Sequence, residues 1–373
     1  MSSFCSKNLL HIKCYGDPST HLFFIRNSSL RFSSDATELP SITVDYLINR
    51  CGLTPESALK ASQRINIKST TKADSVLALL NSYGLPKPYI SKLISKDPAL
   101  LSANLKKTLE PKFEFFSNMG ISGPDLARIF HRRPSILSNS SLKKDIVPSI
   151  DFLKSFLHDD RNIAVAMTRL RWINGIRGVM KPNIEILRYQ GVPESGISKL
   201  ITYRPQLLTW KQPQFNEVVL QTKAIGFNPS SMLFIYGVCT LSQMKKTTLE
   251  TKVEVFRSFG WSEYEILCLF KKQPHCFALS EKSLRTRLDF FSSKLIWTAA
   301  DIVKNPIVLR LSMEKRTVPR FSVIQILLSQ GLMKKRSINT ALNLSEDKFL
   351  EKFVRKYHQE LPQLMEEYKR NMK

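Results

Sequence analysis

The stretch LISKDPALL, residues 93–101, decides the fold, because the chain repeats it: IFHRRPSIL at 129–137, LITYRPQLL at 200–208 and LFKKQPHCF at 269–277, with NPIVL at 305–309 as a shorter version. Each of the first four prolines follows a glycine by 14 residues: Gly84 and Pro98, Gly120 and Pro134, Gly191 and Pro205, Gly260 and Pro274. With Gly226 included the glycines step by 36, 71, 35 and 34 residues. One unit of about 35 residues therefore lies unmarked between Gly120 and Gly191, where Leu157 takes the glycine's place. Gly52 begins the series. Beyond Gly260 it continues through Leu295 or Ile296 to Gly331, which makes about eight or nine units, some degenerate.

Each unit has a physical reading. Before the glycine, apolar residues fall at −7, −4 and −1, as in Leu77, Leu80 and Tyr83, in Phe113, Phe116 and Met119, and in Val253, Phe256 and Phe259. That spacing is one face of a helix. The glycine suits the left-handed residue that ends a helix. Thr54, Ser122, Asn228 or Ser262, two positions later, can cap a second one, and Pro55, Pro124 and Pro229 fit its first turn. The second helix buries Leu93 with Ile94, Ile129 with Phe130, Leu200 with Ile201 and Leu269 with Phe270 until the proline stops it. The apolar pair after the proline packs a tight turn, plausibly 3₁₀. A hairpin of this kind cannot bury its apolar face alone, so neighbours must stack into an all-α solenoid.

The chain has 373 residues and 43% hydrophobic content, with 56 Lys and Arg against 31 Asp and Glu, a net charge of +25. This excess exceeds what solubility requires and points to a polyanionic partner. No apolar run approaches the length of a membrane-spanning helix, so a membrane partner is not expected. Residues 1–34 differ in kind: Lys7, Lys13, Arg26 and Arg31 face a single acid, Asp17, among eight serines. That is the composition of an organellar transit peptide, mitochondrial first and chloroplast second. The repeat array is expected over 35–340 and a helical cap and tail over 341–373.

Catalytic and metal motifs are missing: there is no GxxxxGK[ST], GxGxxG, HExxH or GxSxG. The cysteines Cys5, Cys14, Cys51, Cys239, Cys268 and Cys276 form no CxxC pair, and His275 beside Cys276 reads as packing. Asp159 and Asp160 stand where a second helix should start, as caps rather than metal ligands. Neither an enzyme, a cofactor, a metal nor a small-molecule substrate is expected.

The pattern resembles the mitochondrial transcription termination factors, the mTERF proteins, in their plant form. The LxxxxPxLL wording carries that resemblance, with TTLETKVEVFRSFGWSEYEI at 247–266, RTVPRFSVIQILLSQGLMKK at 316–335 and SEDKFLEKFVRKYHQELPQLMEEYK at 345–369. It covers roughly residues 40–370. The units around Arg169 to Gly178 and around Thr240 depart from it in lacking the proline. The resemblance implies a superhelix of helical hairpins whose basic groove holds double-stranded DNA, or RNA in some members, to regulate or terminate organellar transcription or to aid intron splicing. A monomer is expected. A protein-interaction scaffold is the reading of another class, and the +25 charge disfavours it.

Candidate contact residues follow from charge. A cation stands two residues before the proline at Lys96, Arg132, Lys272 and Lys304, with Arg133, Arg204 and Lys271 adjacent. Cations at a helix C-terminus also suit the macrodipole without any ligand. Between Arg161 and Lys211 nine Lys and Arg face only Glu185 and Glu194, and Arg169, Arg171 and Arg177 fall there beside Trp172. Trp172 and Tyr203 could stack on an exposed base, although core or rim packing is the commoner fate of such residues.

Overall fold

The computed structural model describes residues 42–121, 123–170 and 175–372, and the N-terminal segment read as a transit peptide lies outside them. The described chain forms two compact bodies, 42–217 and 218–372, divided within helix Gln212–Ala224. Each body is built from helical hairpins, and no strand occurs among the described residues.

The N-terminal body holds five units. Their paired helices are Ile42–Asn49 with Pro55–Ser62, Thr70–Ser82 with Lys87–Lys96, Glu110–Asn118 with Gly123–Arg132, Val147–Lys154 with Asp160–Arg169, and Ile176–Tyr189 with Glu194–Tyr203. Unit six pairs Gln212–Ala224 with Met232–Leu241. The C-terminal body continues with Lys246–Ser258 and Glu263–Lys272 as unit seven, Glu281–Lys294 and Ala299–Lys304 as unit eight, and Val318–Ser329 and Ile338–Asn343 as unit nine. The second helix of unit nine, Ile338–Asn343, spans residue 340. Within each body the second helices of successive units pack on one another through unit eight, and Ile338–Asn343 of unit nine packs on the turn Pro306–Arg310. Their apolar pairs form the core, with Leu93, Ile94, Ile129, Phe130, Leu200, Ile201, Leu269 and Phe270 all buried.

The punctuation works as the spacing requires. Gly52, Gly84, Gly120, Gly191, Gly226, Gly260 and Gly331 all take positive φ. Pro98, Pro205, Pro274 and Pro306 open 3₁₀ turns of five residues, while the turn after Pro134 is a short α-helical one, Ser135–Ser138. Thr54 and Ser262 cap second helices, the latter in a reciprocal capping box with Glu265. Ser122 is not among the described residues. Unit six differs from expectation: Asn228 accepts from the Ser230 backbone N–H inside the turn, and Ser231 caps the helix three residues later.

Two positions replace the glycine. Leu157 is buried, and no residue of its turn has positive φ, so unit four turns without a left-handed residue. In unit eight Ile296 takes φ 55°, the only positive φ of a non-glycine among the described residues, and the residue is 77% exposed. A β-branched residue is strained there. Gly123 answers a different need, since a Cβ at that position would lie 2.4 Å from the Gly84 carbonyl oxygen.

The chain end is held by Arg320, which is 1% exposed. Its guanidinium donates to the carbonyls of Ala341 (3.0 Å), Leu342 (3.1 Å) and Leu344 (2.6 Å) and to Glu346 Oε2 (3.0 Å). It also lies 4.6 Å from the Phe349 ring centroid, and Glu346 Oε1 accepts from the Tyr368 hydroxyl at 2.5 Å. Helix Leu364–Arg370 is thereby fastened to unit nine.

Candidate nucleic-acid interface

Five of the cations at the ends of the second helices are arranged as clamps between units. Arg64 donates to the Lys96 carbonyl at 2.9 Å, and Lys96 Nζ donates to the His131 carbonyl at 2.7 Å. Arg133 reaches the Met167 carbonyl in unit four. Arg169 donates to Thr202 O (3.1 Å) and Tyr203 O (3.0 Å) in unit five, and in the other body Lys272 donates to Val303 O at 3.1 Å. Every clamp spans about one repeat and ends on carbonyls in the last turn of the next second helix. Those carbonyls have no partner inside their own helix. The periodicity that suggested a phosphate ladder thus has a structural cause of its own.

The candidates divide accordingly. Arg133 is 5% exposed, and burial pushes its guanidinium down to about 10, with Arg132 contributing. Its Nε and one terminal nitrogen find no hydrogen-bond partner among the described residues. In this position it cannot reach a phosphate. Lys96 and Lys272 are exposed but committed to carbonyls, and Arg169 is half-buried. Lys271 lies over the preceding unit's turn, where a Cβ on Gly226 would stand 3.0 Å from its Nζ. Arg204 caps its helix, half-buried. Arg132 and Lys304 are exposed, and no ion pair or hydrogen bond engages their side chains among the described residues. Arg171 and Trp172 lie outside the described residues.

Arg177 opens helix Ile176–Tyr189 and lines a cleft of about 550 Å³ with Lys181, Ile184 and Arg188. The opposite wall carries Asp151, Phe152 and Phe156 from unit four, the two rings edge to face at 5.3 Å. Arg188 is neutralised by Glu185 (2.8 Å) and Glu194 (2.6 Å), which leaves Arg177 and Lys181 as the cations of the cleft without an ion-pair partner among the described residues. Tyr203 is 49% exposed, with Lys199 Nζ 4.2 Å and the Arg169 guanidinium 5.2 Å from its ring centroid. The cations engage the π-system, so the ring is an ordered part of the edge.

A second set of polar residues escaped the sequence reading. Lys112, Asn183 and Lys252 each stand eight residues before the unit's glycine and are buried in the first helix. Lys112 Nζ donates to Leu137 O at 2.5 Å, Asn183 to Leu208 O (3.0 Å) and Trp210 O (2.8 Å), and Lys252 to Leu279 O. All four acceptors lie in or just after the apolar turn of the same unit. Burial pushes Lys112 down to about 8 against the opposing pull of Asp145, and it lowers Lys252 as well. The signal was available as a polar residue at one fixed register inside an apolar helix face.

Among the described residues, no group of His, Cys, Asp and Glu could hold a metal ion, and no helix is long and apolar enough to cross a membrane. Cys51, Cys239 and Cys276 are buried, whereas Cys268 is half-exposed. The family model that matches the chain is that of the mTERF proteins, over residues 77–239 and 232–350. A curated relative is the transcription termination factor MTERF8, chloroplastic, of Arabidopsis thaliana, 22% identical over 263 residues, which is 69% of this chain. The match spans 51% of that relative, about half its length. With both matched segments falling on the stacked hairpins described above, the chain belongs to the mTERF family.

Proposed function

We propose that this protein works in organellar gene expression as a nucleic-acid-binding member of its family, holding double-stranded DNA along a basic surface to regulate or terminate transcription. It acts as a monomer and as a steric block, without a catalytic step. The observation that carries the reading is the family match over 77–350 in a chain with a net charge of +25. Phosphate neutralisation supplies most of the affinity in such binding. The contact set is narrower than charge alone suggested: Arg132, Arg177 and Lys304 present exposed heads, whereas Arg133 is withdrawn into the core.

The compartment is an organelle. The acid-poor N-terminal segment favours the mitochondrion on composition, while the relative is named chloroplastic. A reporter fused to residues 1–41 decides between them, and a cytosolic or nuclear signal excludes both. Crosslinking the protein in isolated organelles and sequencing both nucleic acids tests the function. Enrichment of discrete duplex DNA sites supports it, enrichment of introns in RNA redirects it to splicing, and recovery of neither contradicts it.

A further inference from the structure

We infer that this protein also contacts phosphates through a row of lysines in the wide π-helical turns that lead into first helices, Leu105–Leu109 and Leu142–Ile146 in the N-terminal body, where they are Lys106, Lys107, Lys143 and Lys144. The inference rests on the nucleic-acid reading above and adds to the exposed Arg132, Arg177 and Lys304 a second set of contacts that the clamps leave free.

The row recurs in sequence as NLKKTLEP at 104–111, SLKKDIVP at 141–148 and SMEKRTVP at 312–319. In each case a short polar side chain caps the segment. Asn104 accepts from the Lys107 backbone N–H at 2.9 Å, Ser141 from that of Lys144 at 3.2 Å, and Ser312 from that of Lys315 at 3.1 Å. The lysine therefore occupies the third position of the opening turn, where a glutamate or glutamine would complete a capping box. The second helices do the opposite. Ser262 and Thr298 complete their boxes with Glu265 and Asp301, and Glu56, Asp125, Asp160 and Glu194 stand in the first turns of four more, although Lys87–Lys96, Met232–Leu241 and Ile338–Asn343 carry no acid there.

This inversion separates the two sets of cations physically. A cation at a helix C-terminus is favoured by the macrodipole and, in this fold, by the carbonyl it clamps. A lysine in an opening turn works against the same dipole. All four of these side chains are exposed, and none forms an ion pair or hydrogen bond among the described residues. The nearby acid Asp145 is engaged with the Ser141 backbone N–H at 2.6 Å. The third segment has Glu314 before Lys315, so what recurs is an exposed lysine at the third position. Nothing in the described fold explains that recurrence, and an external anion does. Because the apolar turn joins the end of each second helix to the next first helix, the row follows the same edge as the clamps. Exposed cations that return from one unit to the next fit a polymer of phosphates rather than one small anion.

The test compares the full chain with the variant Lys106→Gln/Lys107→Gln/Lys143→Gln/Lys144→Gln, titrating a mixed-sequence DNA duplex and a single-stranded RNA over a range of salt. Losing four contacts should make the slope of log affinity against log salt shallower by about 3.6 on duplex, from roughly 0.9 per phosphate, or by about 2.8 on a single strand. Arginine at the same four positions should bind like the parent. A glutamine variant that keeps its helical circular dichroism and the parental slope overturns the inference and leaves the nucleic-acid reading intact. A parent that binds neither probe contradicts that reading itself. Should the quadruple variant lose helicity, Lys106→Gln/Lys143→Gln replaces it, with an expected change of about 1.8 on duplex, and an unchanged slope there again overturns the inference.

Discussion

Unit seven and unit four build the same hairpin from very different instructions. Unit seven has a glycine at φ 80°, a reciprocal capping box from Ser262 and Glu265, and Pro274 opening a 3₁₀ turn. Unit four has Leu157 in the glycine's place, Asp159 as a simple cap and no proline after its second helix. The two share buried apolar faces and cationic ties to their neighbours. Arg133 reaches into unit four from unit three, Arg169 leaves it for unit five, and Lys272 leaves unit seven for unit eight. Glycine and proline make a unit easy to recognise, whereas the apolar register and the clamps hold it in the stack.

The largest expected effect breaks the clamp that lies deepest. Arg133→Ala empties a buried site and leaves the Met167 carbonyl without its donor, which should lower stability by about 2–4 kcal/mol. Lys272→Ala removes the same device from an exposed position and should change stability by no more than about 0.5 kcal/mol. Urea unfolding of both variants checks the contrast, and equal losses would show that depth does not govern the clamps.

The buried ties to the apolar turns should respond to pH. Lys112 is held near 8 in the fold, below the ordinary lysine value of about 10.4. Between those values the unfolded chain binds the extra proton, so stability rises with pH across that window. Relative to Lys112→Met, the parent should gain about 1–3 kcal/mol from pH 8 to 10.5. Parallel stability curves for the two proteins would show that this ammonium is not desolvated.

The smallest effects concern the turns. Ile296→Gly should stabilise unit eight by about 1 kcal/mol by relieving a left-handed β-branched residue, while Gly260→Ala should destabilise unit seven by about 1–2 kcal/mol. Differential scanning calorimetry of the pair decides this, and a loss of stability in Ile296→Gly would mean that the exposed isoleucine makes a stabilising contact.

Most of the fold was legible because its signals are local. A glycine that must be left-handed, a proline that must end a helix and an apolar pair that must be buried all recur at fixed spacing. The turn of unit four was less legible, since Leu157 replaces a conformational signal with a packing one. Asn228 misled because a side chain able to cap a helix can also close a turn. The candidate site was the least legible part. A cation at a helix end suits both a phosphate and a neighbouring carbonyl, and only the three-dimensional neighbour distinguishes the two, as at Lys96 and Arg169. The buried Lys112, Asn183 and Lys252 were overlooked because a polar residue at a core position has no meaning until the carbonyl opposite it is known.

The central claim is that the clamping cations Lys96, Arg169 and Lys272 hold units together and do not supply the phosphate contacts. Its most direct test is the salt dependence of duplex binding by Lys96→Gln/Arg169→Gln/Lys272→Gln, measured beside its thermal unfolding. A lowered Tm with the parental slope is the expected result. An unchanged Tm with a slope shallower by roughly 0.9 for each residue replaced would contradict the claim and return these three cations to the binding surface.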